Sequence, residues 1–555
     1  MQPRYIFVTG GVLSGIGKGI TAASIGAICK AAGKKVFMQK LERYLNVDAG
    51  TMNPFRHGEV FVLDDGTETD LDLGHYERFI DESLSKLSFV TSGAIYWELL
   101  QNERRGDYLG RDIQVIPHVT DLVKAKVRTA AKKSGCDVMI IEVGGTVGDM
   151  EGNHFLEAAR QMHREEGEGR VRFVHVSYLP YVTATGELKT KPTQQSVQLL
   201  RSIGIQPDII VARSDVDMLP DHVDKIAMYC DVDPAAVIPA PTIKTVYEVP
   251  LNFERAGISK ILFKLLGWTY KKPDLSNWRQ LVKTINTEKP PVRIALAGKY
   301  TSLEDAYISV IKAIKGAAYA EGRWPIIEWV DTEKIEQGDK KEWAKLRSVD
   351  GVVVPGGFGK RGIEGKIKVA QYCREQRVPY FGLCLGAQIM TVEFARNVLG
   401  IKDANSEEFD PTGAHRVVHY LPGQYEGREM GGTLRLGARD CVIKAGTIAR
   451  KAYSSARISE RHRHRYEFNN EYRKQLEAAG LVISGQSPKG QLMEIVEVAD
   501  HPFMLGTQFH PEFKARPHKV HPLFGAFVQA IVRGAAPEPA KPKAAARSAH
   551  AFATR

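Results

Sequence analysis

The chain has 555 residues, 43% of them hydrophobic and 25% charged, with 51 glycines; this is too long for one hydrophobic core and reads as two to four α/β domains. Its 76 basic and 65 acidic residues leave a net +11, a balance that suits either nucleic acid or small anions such as nucleotides. The six cysteines (Cys29, Cys136, Cys230, Cys373, Cys384 and Cys441) show no CxxC spacing, which argues against a disulfide framework or a zinc site and for a reducing compartment, the cytoplasm.

Met1 to Arg4 lead directly into an apolar strand at residues 5–9, so no signal peptide is expected, and no apolar run is long enough to cross a bilayer. Next come Gly10-Gly11-Val12-Leu13-Ser14-Gly15-Ile16-Gly17-Lys18-Gly19-Ile20 and a small-residue helix over about 21–32. Strand, glycine loop with lysine and helix together form a phosphate cradle: backbone N–H groups and the helix N-terminus meet the anion, and Lys18 reaches the terminal phosphates. Two positions depart from the P-loop pattern, because its first glycine falls on Val12 and its final Ser/Thr on Gly19. A magnesium ion would then need other oxygen ligands. Asp72, in the acid-rich stretch 67–75, and Glu142, at the C-terminal end of the buried strand 137–141, can supply them.

Lys40, after the second strand, offers a further cation. The stretch 186–197 places Lys189, Lys191 and Gln194 before an apolar helix, and the two-residue spacing of the lysines suits a loop that presents both to one anion. Residues 271–292 are punctuated by prolines, carry one short helical piece near 276–283, and mark the best domain boundary. A second α/β domain follows, in which the strand 351–354 ends in Pro355-Gly356-Gly357-Phe358-Gly359, a loop able to donate N–H groups to an oxyanion. Strand 379–383 delivers Cys384 between glycines, as a nucleophile on a sharp strand-to-helix turn requires. His510 and Glu512, two residues apart, lie on one side of an extended segment, so that the carboxylate can orient the imidazole that activates the thiol. Residues 535–555 are rich in Ala, Pro and Lys and read as a disordered basic tail.

Residues 1 to about 265 resemble the amidoligase domain of the CTP synthase family through GGVLSGIGKGI, HGEVFVLDDGTETDLDLGHYERFI, EVGGTVGD, GELKTKPTQQSV and SIGIQPDII. Residues 293–533 resemble a class I glutamine amidotransferase. The fold expected is therefore two doubly wound α/β domains: a P-loop-like amidoligase domain at 1–270, a linker at 271–292 and an amidotransferase domain at 293–534.

The resemblance implies ATP contacts at Ser14, Gly15, Ile16, Gly17, Lys18, Gly19, Ile20, Lys40 and Asp72, and Mg2+ on Asp72 and Glu142. For UTP and the inhibitor CTP it implies Ser14, Asp149, Glu151, Lys189, Lys191, Gln194 and Lys225. The catalytic set would be Cys384, His510 and Glu512. Gly356, Gly357, Leu385, Gln388, Glu408 and Arg465 would serve the oxyanion and glutamine, with the stretch 461–467 lining that site, and Arg361 would belong to a region activated by GTP. ATP, UTP and glutamine are the implied ligands, and a homotetramer able to build filaments the implied assembly, with no nucleic acid and no membrane. The chain departs from the family's pattern at Gly15, at Glu42-Arg43 in place of Asp-Pro, and at Gly152-Asn153-His154 in place of Ser-Leu-Pro. Competing readings are an ATP-dependent amidoligase with another acceptor, a non-catalytic assembly protein, and a nucleic-acid binder.

Overall fold

The computed structural model describes residues 2–299, 303–421 and 431–534; the expected tail at 535–555 lies outside them. Seven strands build the first sheet: β1 (Arg4–Gly10), β2 (Val36–Glu42), β3 (Phe89–Thr91), β4 (Val138–Val143), β5 (Val171–Leu179), β6 (Ile209–Ser214) and β7 (Val237–Pro241). Their order is β7-β6-β5-β1-β4-β2-β3, every pair parallel. Alternation along β1 sends Ile6 and Val8 into one core and Tyr5 and Phe7 into another, so both faces are covered, as a parallel sheet demands. The chain winds outward in both directions from β1, and the crevice at the C-terminal ends of β1 and β4 is where such a sheet binds ligands.

The second sheet has nine strands: β8 (Pro291–Gly298), β9 (Trp324–Asp331), β10 (Gly351–Val354), β11 (Tyr380–Leu383), β12 (Arg435–Ile443), β13 (Arg457–His464), β14 (Leu481–Gln486), β15 (Met493–Val498) and β16 (Met504–Thr507). Their order is β9-β8-β10-β11-β16-β15-β14-β12-β13, parallel from β9 to β16 and antiparallel beyond. This is the two-sheet α/β architecture expected from the sequence.

The proline-punctuated segment forms the helix Ser276–Asn286, whose Trp278, Val282 and Ile285 enter the core of the first lobe. Contact between the lobes is close. Phe513 of the second lobe joins that same core, its ring centroid 5.1 Å from that of Phe61, and the Ala438 N–H donates to the Asp64 carbonyl at 2.8 Å.

Candidate functional site

Strand β11 ends at Leu383, and the next residue, Cys384, caps helix Leu385–Asn397 with φ 50° and ψ −101°. A non-glycine residue held there is strained, which is the mark of a nucleophile elbow. The flanking glycines serve a purpose other than the backbone freedom expected of them. A β-carbon on Gly382 would stand 2.6 Å from the Gly386 main chain, and one on Gly386 would run into the Val354 carbonyl; they let strand and helix approach, while Cys384 itself takes the positive φ.

Cys384 is buried, its N–H donates to the Thr507 carbonyl at 2.7 Å, and Gln508 Nε2 lies 3.7 Å from its sulfur. His510 Nδ1 meets Glu512 Oε1 at 2.7 Å, and His510 Nε2 is buried with no hydrogen-bond partner among the described residues. A β-carbon on Gly356 would lie 2.9 Å from His510 Cε1 and 3.5 Å from Cys384 Cβ, so loop, base and sulfur converge. Burial by itself lowers the affinity of His510 for a proton, but the Glu512 carboxylate and the Cys384 sulfur outweigh it and raise the imidazole to about 10. An imidazolium therefore stands beside the sulfur at neutral pH, ready to donate to a leaving amine.

The loop 356–359 is anchored from behind. Gly359 N–H donates to Glu408 Oε1 at 2.6 Å, and Lys299 Nζ donates to the Phe358 carbonyl. Gln388 Nε2 donates to Gln508 Oε1 and the Tyr466 carbonyl, each at 3.1 Å, Leu385 is buried, and Arg465 Nη2 donates to Thr433 Oγ1 at 3.0 Å. Arg361 pairs with Glu333 at 2.6 Å. Lys299 and Gln508 were not singled out from sequence; Lys299 follows the buried strand β8, a position that signals a ligand-facing residue, whereas nothing local points to Gln508.

The stretch 461–467 divides its side chains between two directions. His462 and His464 turn inward towards Arg435, Glu467 and Glu494. Arg461 and Arg463 reach into the first lobe instead, with Arg461 on Asp64 and Glu77 and Arg463 on Glu68. The alternation is that of a strand with one face on each lobe, so the basic run does not turn as a whole towards the site at Cys384, where the resemblance would place it. A cavity of about 800 Å³ opens there, lined by Cys384, His510, Gly356 and Arg465 from one lobe and by Met52, Pro54 and Val60 from the other.

In the first lobe, Gly17 (φ 88°) caps helix Lys18–Ala31. Val12, at the P-loop's first glycine position, has φ 75°, so the glycine-like conformation persists on a β-branched residue. Lys18 Nζ donates to the Gly145 carbonyl at 2.7 Å, and burial lowers its proton affinity. Asp70 caps helix Leu71–Ile80, its side chain accepting from the Asp72 N–H. That places Asp72 in the first turn, where the helix dipole favours an anion.

Lys40 is bound to Asp72, lies 3.1 Å from Glu142 and 3.6 Å from each of Asp70 and Glu42, and Tyr76 donates its hydroxyl to Glu142. Burial would depress the Lys40 ammonium; the carboxylates outweigh it and hold it charged. A β-carbon on Gly19 would run into the Asp72 carboxylate and stand 3.4 Å from Glu142 Oε2. The missing hydroxyl at position 19 thus makes room for two carboxylates that already converge on a cation. Hard oxygen donors in that arrangement fit Mg2+, with phosphate and water completing its shell.

Asp149 pairs with Arg43, 4.0 Å from Glu151, so the unexpected arginine sits on the two carboxylates assigned to the pyrimidine nucleotide. His154, another departure, is buried 3.1 Å from Ser92 Oγ. Helix Lys191–Ser202 begins at Lys191, with Gln194 inside it, its Nε2 donating to Thr190 Oγ1 at 3.1 Å. A β-carbon on Gly11 would collide with Ser196, so this helix abuts the phosphate loop. Lys189 and Lys225 both act on the exposed Glu187, lowering its pKa.

Residues 4–268 match the family model for the CTP synthase N-terminus, and residues 302–530 that for class I glutamine amidotransferases. A CTP synthase of Carboxydothermus hydrogenoformans is 54% identical over 530 residues, 96% of this chain and 99% of that protein. One of Thermomicrobium roseum is 54% identical over 95% of each chain. A solved structure titled as the glutaminase domain of Trypanosoma brucei CTPS with bound acivicin is 40% identical, covering 44% of this chain and 94% of that one, with TM-score 0.41. With a glycine loop over paired carboxylates in one lobe and a cysteine elbow in the other, and with relatives matching along nearly its whole length, the chain belongs to the CTP synthase family.

Proposed function

We propose that the chain converts UTP, ATP and glutamine to CTP with residues 1–270 as the ligase, 271–292 as the linker and 293–534 as the glutaminase. The observation that carries this reading is the cavity into which Cys384 opens together with Met52, Pro54 and Val60 of the other lobe. Ammonia made at the cysteine is then released into a cavity that the ligase lobe helps to wall.

Cys384 sulfur attacks the carboxamide carbon of glutamine, and the N–H groups of the loop at Gly356 and Gly357 stabilise the oxyanion. His510 gives its proton to the amide nitrogen, the C–N bond breaks and neutral ammonia leaves a thioester on Cys384; Glu512 holds the imidazole, and water deprotonated by His510 then frees glutamate from the thioester. Glu408, Gln388, Leu385 and Arg465 would shape the pocket for glutamine. In the first lobe, residues 14–20 and Lys40 hold the ATP phosphates. The γ-phosphoryl group passes from ATP to O4 of UTP, releasing ADP; ammonia bonds to C4, and loss of phosphate with the oxygen and of a proton from the nitrogen leaves the amino group of CTP. Mg2+ held by Asp72 and Glu142 would supply charge neutralisation on the transferred phosphoryl group. Lys189, Lys191, Gln194 and Lys225 are assigned to the UTP phosphates, and Asp149 and Glu151 to the pyrimidine nucleotide, including CTP as inhibitor.

GTP activation near Arg361, a homotetramer and filaments belong to the same reading. The six cysteines are all free and buried, which supports the reducing compartment of the cytoplasm within this reading; among the described residues no helix is long and apolar enough to cross a membrane. The test is to incubate the purified chain with UTP, ATP and Mg2+ and either glutamine or ammonia, and to follow CTP. CTP from both donors is expected; none from either would end this reading.

A further inference from the structure

One buried charge cluster joins the two reacting centres, and no step above uses it. Glu77 lies on helix Leu71–Ile80, five residues beyond Asp72, and is fully buried. Its Oε2 accepts from Arg461 Nη1 at 2.8 Å and from Arg516 Nη2 at 2.9 Å. Its Oε1 accepts from Arg461 Nη2 at 3.0 Å and from the Leu84 N–H at 2.8 Å.

Arg461 comes from the other lobe and is also fully buried. Its Nε donates to Asp64 at 2.6 Å and its Nη1 to the Val62 carbonyl at 3.1 Å. Two guanidinium groups of the second lobe thus face two carboxylates of the first, and Arg461 donates across the interface to Glu77, Asp64 and the Val62 carbonyl. The main-chain carbonyl of Arg461 meanwhile accepts the His510 N–H at 2.8 Å. At the other end, Tyr76, next to Glu77, donates to Glu142. From the paired carboxylates to the imidazole base, the path is one helix, one two-pronged ion pair and one peptide hydrogen bond.

Charges buried in an interface are a poor source of stability compared with apolar packing. What a guanidinium fork on a carboxylate does provide is a single alignment, where an apolar contact would let the lobes slide. We infer that Glu77 is a positioning residue for ammonia transfer: gripped by Arg461 and Arg516, it holds the lobes where ammonia released at Cys384 passes to the nucleotide site and not to solvent. The inference rests on the two-site reading above.

The test is the ratio of glutamate released to CTP formed by the full chain, with Glu77→Gln, which keeps the side chain's shape and removes its charge. The ratio is expected to rise about threefold or more above wild type, while ammonia-dependent CTP formation and glutamine hydrolysis each stay within about twofold. A wild-type ratio with both rates intact overturns the inference. So does parallel loss of both half-reactions in a folded variant, the result a merely structural glutamate would give. If Glu77→Gln does not fold, Arg516→Met, which removes one of the two grips, decides: a raised ratio supports the inference and a wild-type ratio ends it. Failure of the wild-type chain to make CTP from ammonia would instead strike the two-site reading itself.

Discussion

Arg463 ties the two lobes together at the nucleophile: its main-chain carbonyl lies 3.7 Å from the Cys384 sulfur, while its guanidinium pairs with Glu68 of the first lobe at 2.8 Å. The guanidinium also donates to the Gly50 carbonyl at 2.9 Å and lies 5.3 Å from the Phe358 ring, on the oxyanion loop. Glutaminase geometry therefore depends on a first-lobe carboxylate. Glu68→Gln is expected to lower glutamine-dependent CTP formation about threefold to tenfold, the range of a loosened partly buried charge pair, and to leave ammonia-dependent formation near wild type. Equal effects on the two donors would contradict this.

The one side-chain hydrogen bond of Glu512 among the described residues is to His510, at 2.7 Å. Glu512→Gln is expected to reduce glutamine hydrolysis by about 10²-fold or more, because the base loses both its orientation and the charge that stabilises its protonated form. Ammonia-dependent synthesis serves as the internal control and should not change.

The same pair gives a pH signature. His510 binds its proton more tightly in the folded chain, at about 10, than the ordinary 6.5, so the pair contributes stability that is full below pH 6.5 and fades as pH rises towards 10. The difference in melting temperature between wild type and Glu512→Gln should be largest near pH 6 and shrink steadily on the alkaline side. A difference that grows with pH would show that the imidazole is neutral in the fold.

At the nucleotide site, Gly19→Ser restores the hydroxyl usual in a P-loop but adds a β-carbon where the Asp72 carboxylate stands. Loss of CTP formation with either donor is expected, on the order of 10²-fold for a misplacement near 1 Å, with basal glutamine hydrolysis kept. Improved synthesis would mean that the carboxylates are not arranged around position 19 as described.

Lys40→Met tests those carboxylates from the other side. Removing the ammonium leaves Asp72 and Glu142 without their buried counter-charge, at a cost of about 3–5 kcal/mol. Added Mg2+ should then raise the melting temperature of the variant more than that of wild type. An equal response would argue that the metal binds elsewhere.

What could be read from the sequence is local in the chain. The strand, glycine loop and lysine of 5–18 lie within one structural unit, and so do Cys384 on its elbow and the two-residue spacing of His510 and Glu512. The elbow was legible for an incomplete reason: its glycines make room for a helix, and the strained angle belongs to the cysteine. Pairings such as Arg461 with Glu77, 384 residues apart, leave no local mark, since a strand of alternating Arg and His looks the same whether it faces a ligand, a nucleic acid or another lobe. The four carboxylates around Lys40 likewise come from β2, β4 and the start of a helix; the parallel register sets Glu142 opposite Lys40, and the helix start at Asp70 brings Asp70 and Asp72 onto it. Arg43 was noticed as a departure, but its partner Asp149 had to be supplied by the fold.

If Cys384 makes ammonia in one lobe for use in the other, replacing that one sulfur separates the two donors most directly. With Cys384→Ala, CTP formation from UTP and ATP should vanish with glutamine as donor and continue at the wild-type rate with ammonia. Equal loss with both donors, or survival of the glutamine-dependent reaction, would contradict it.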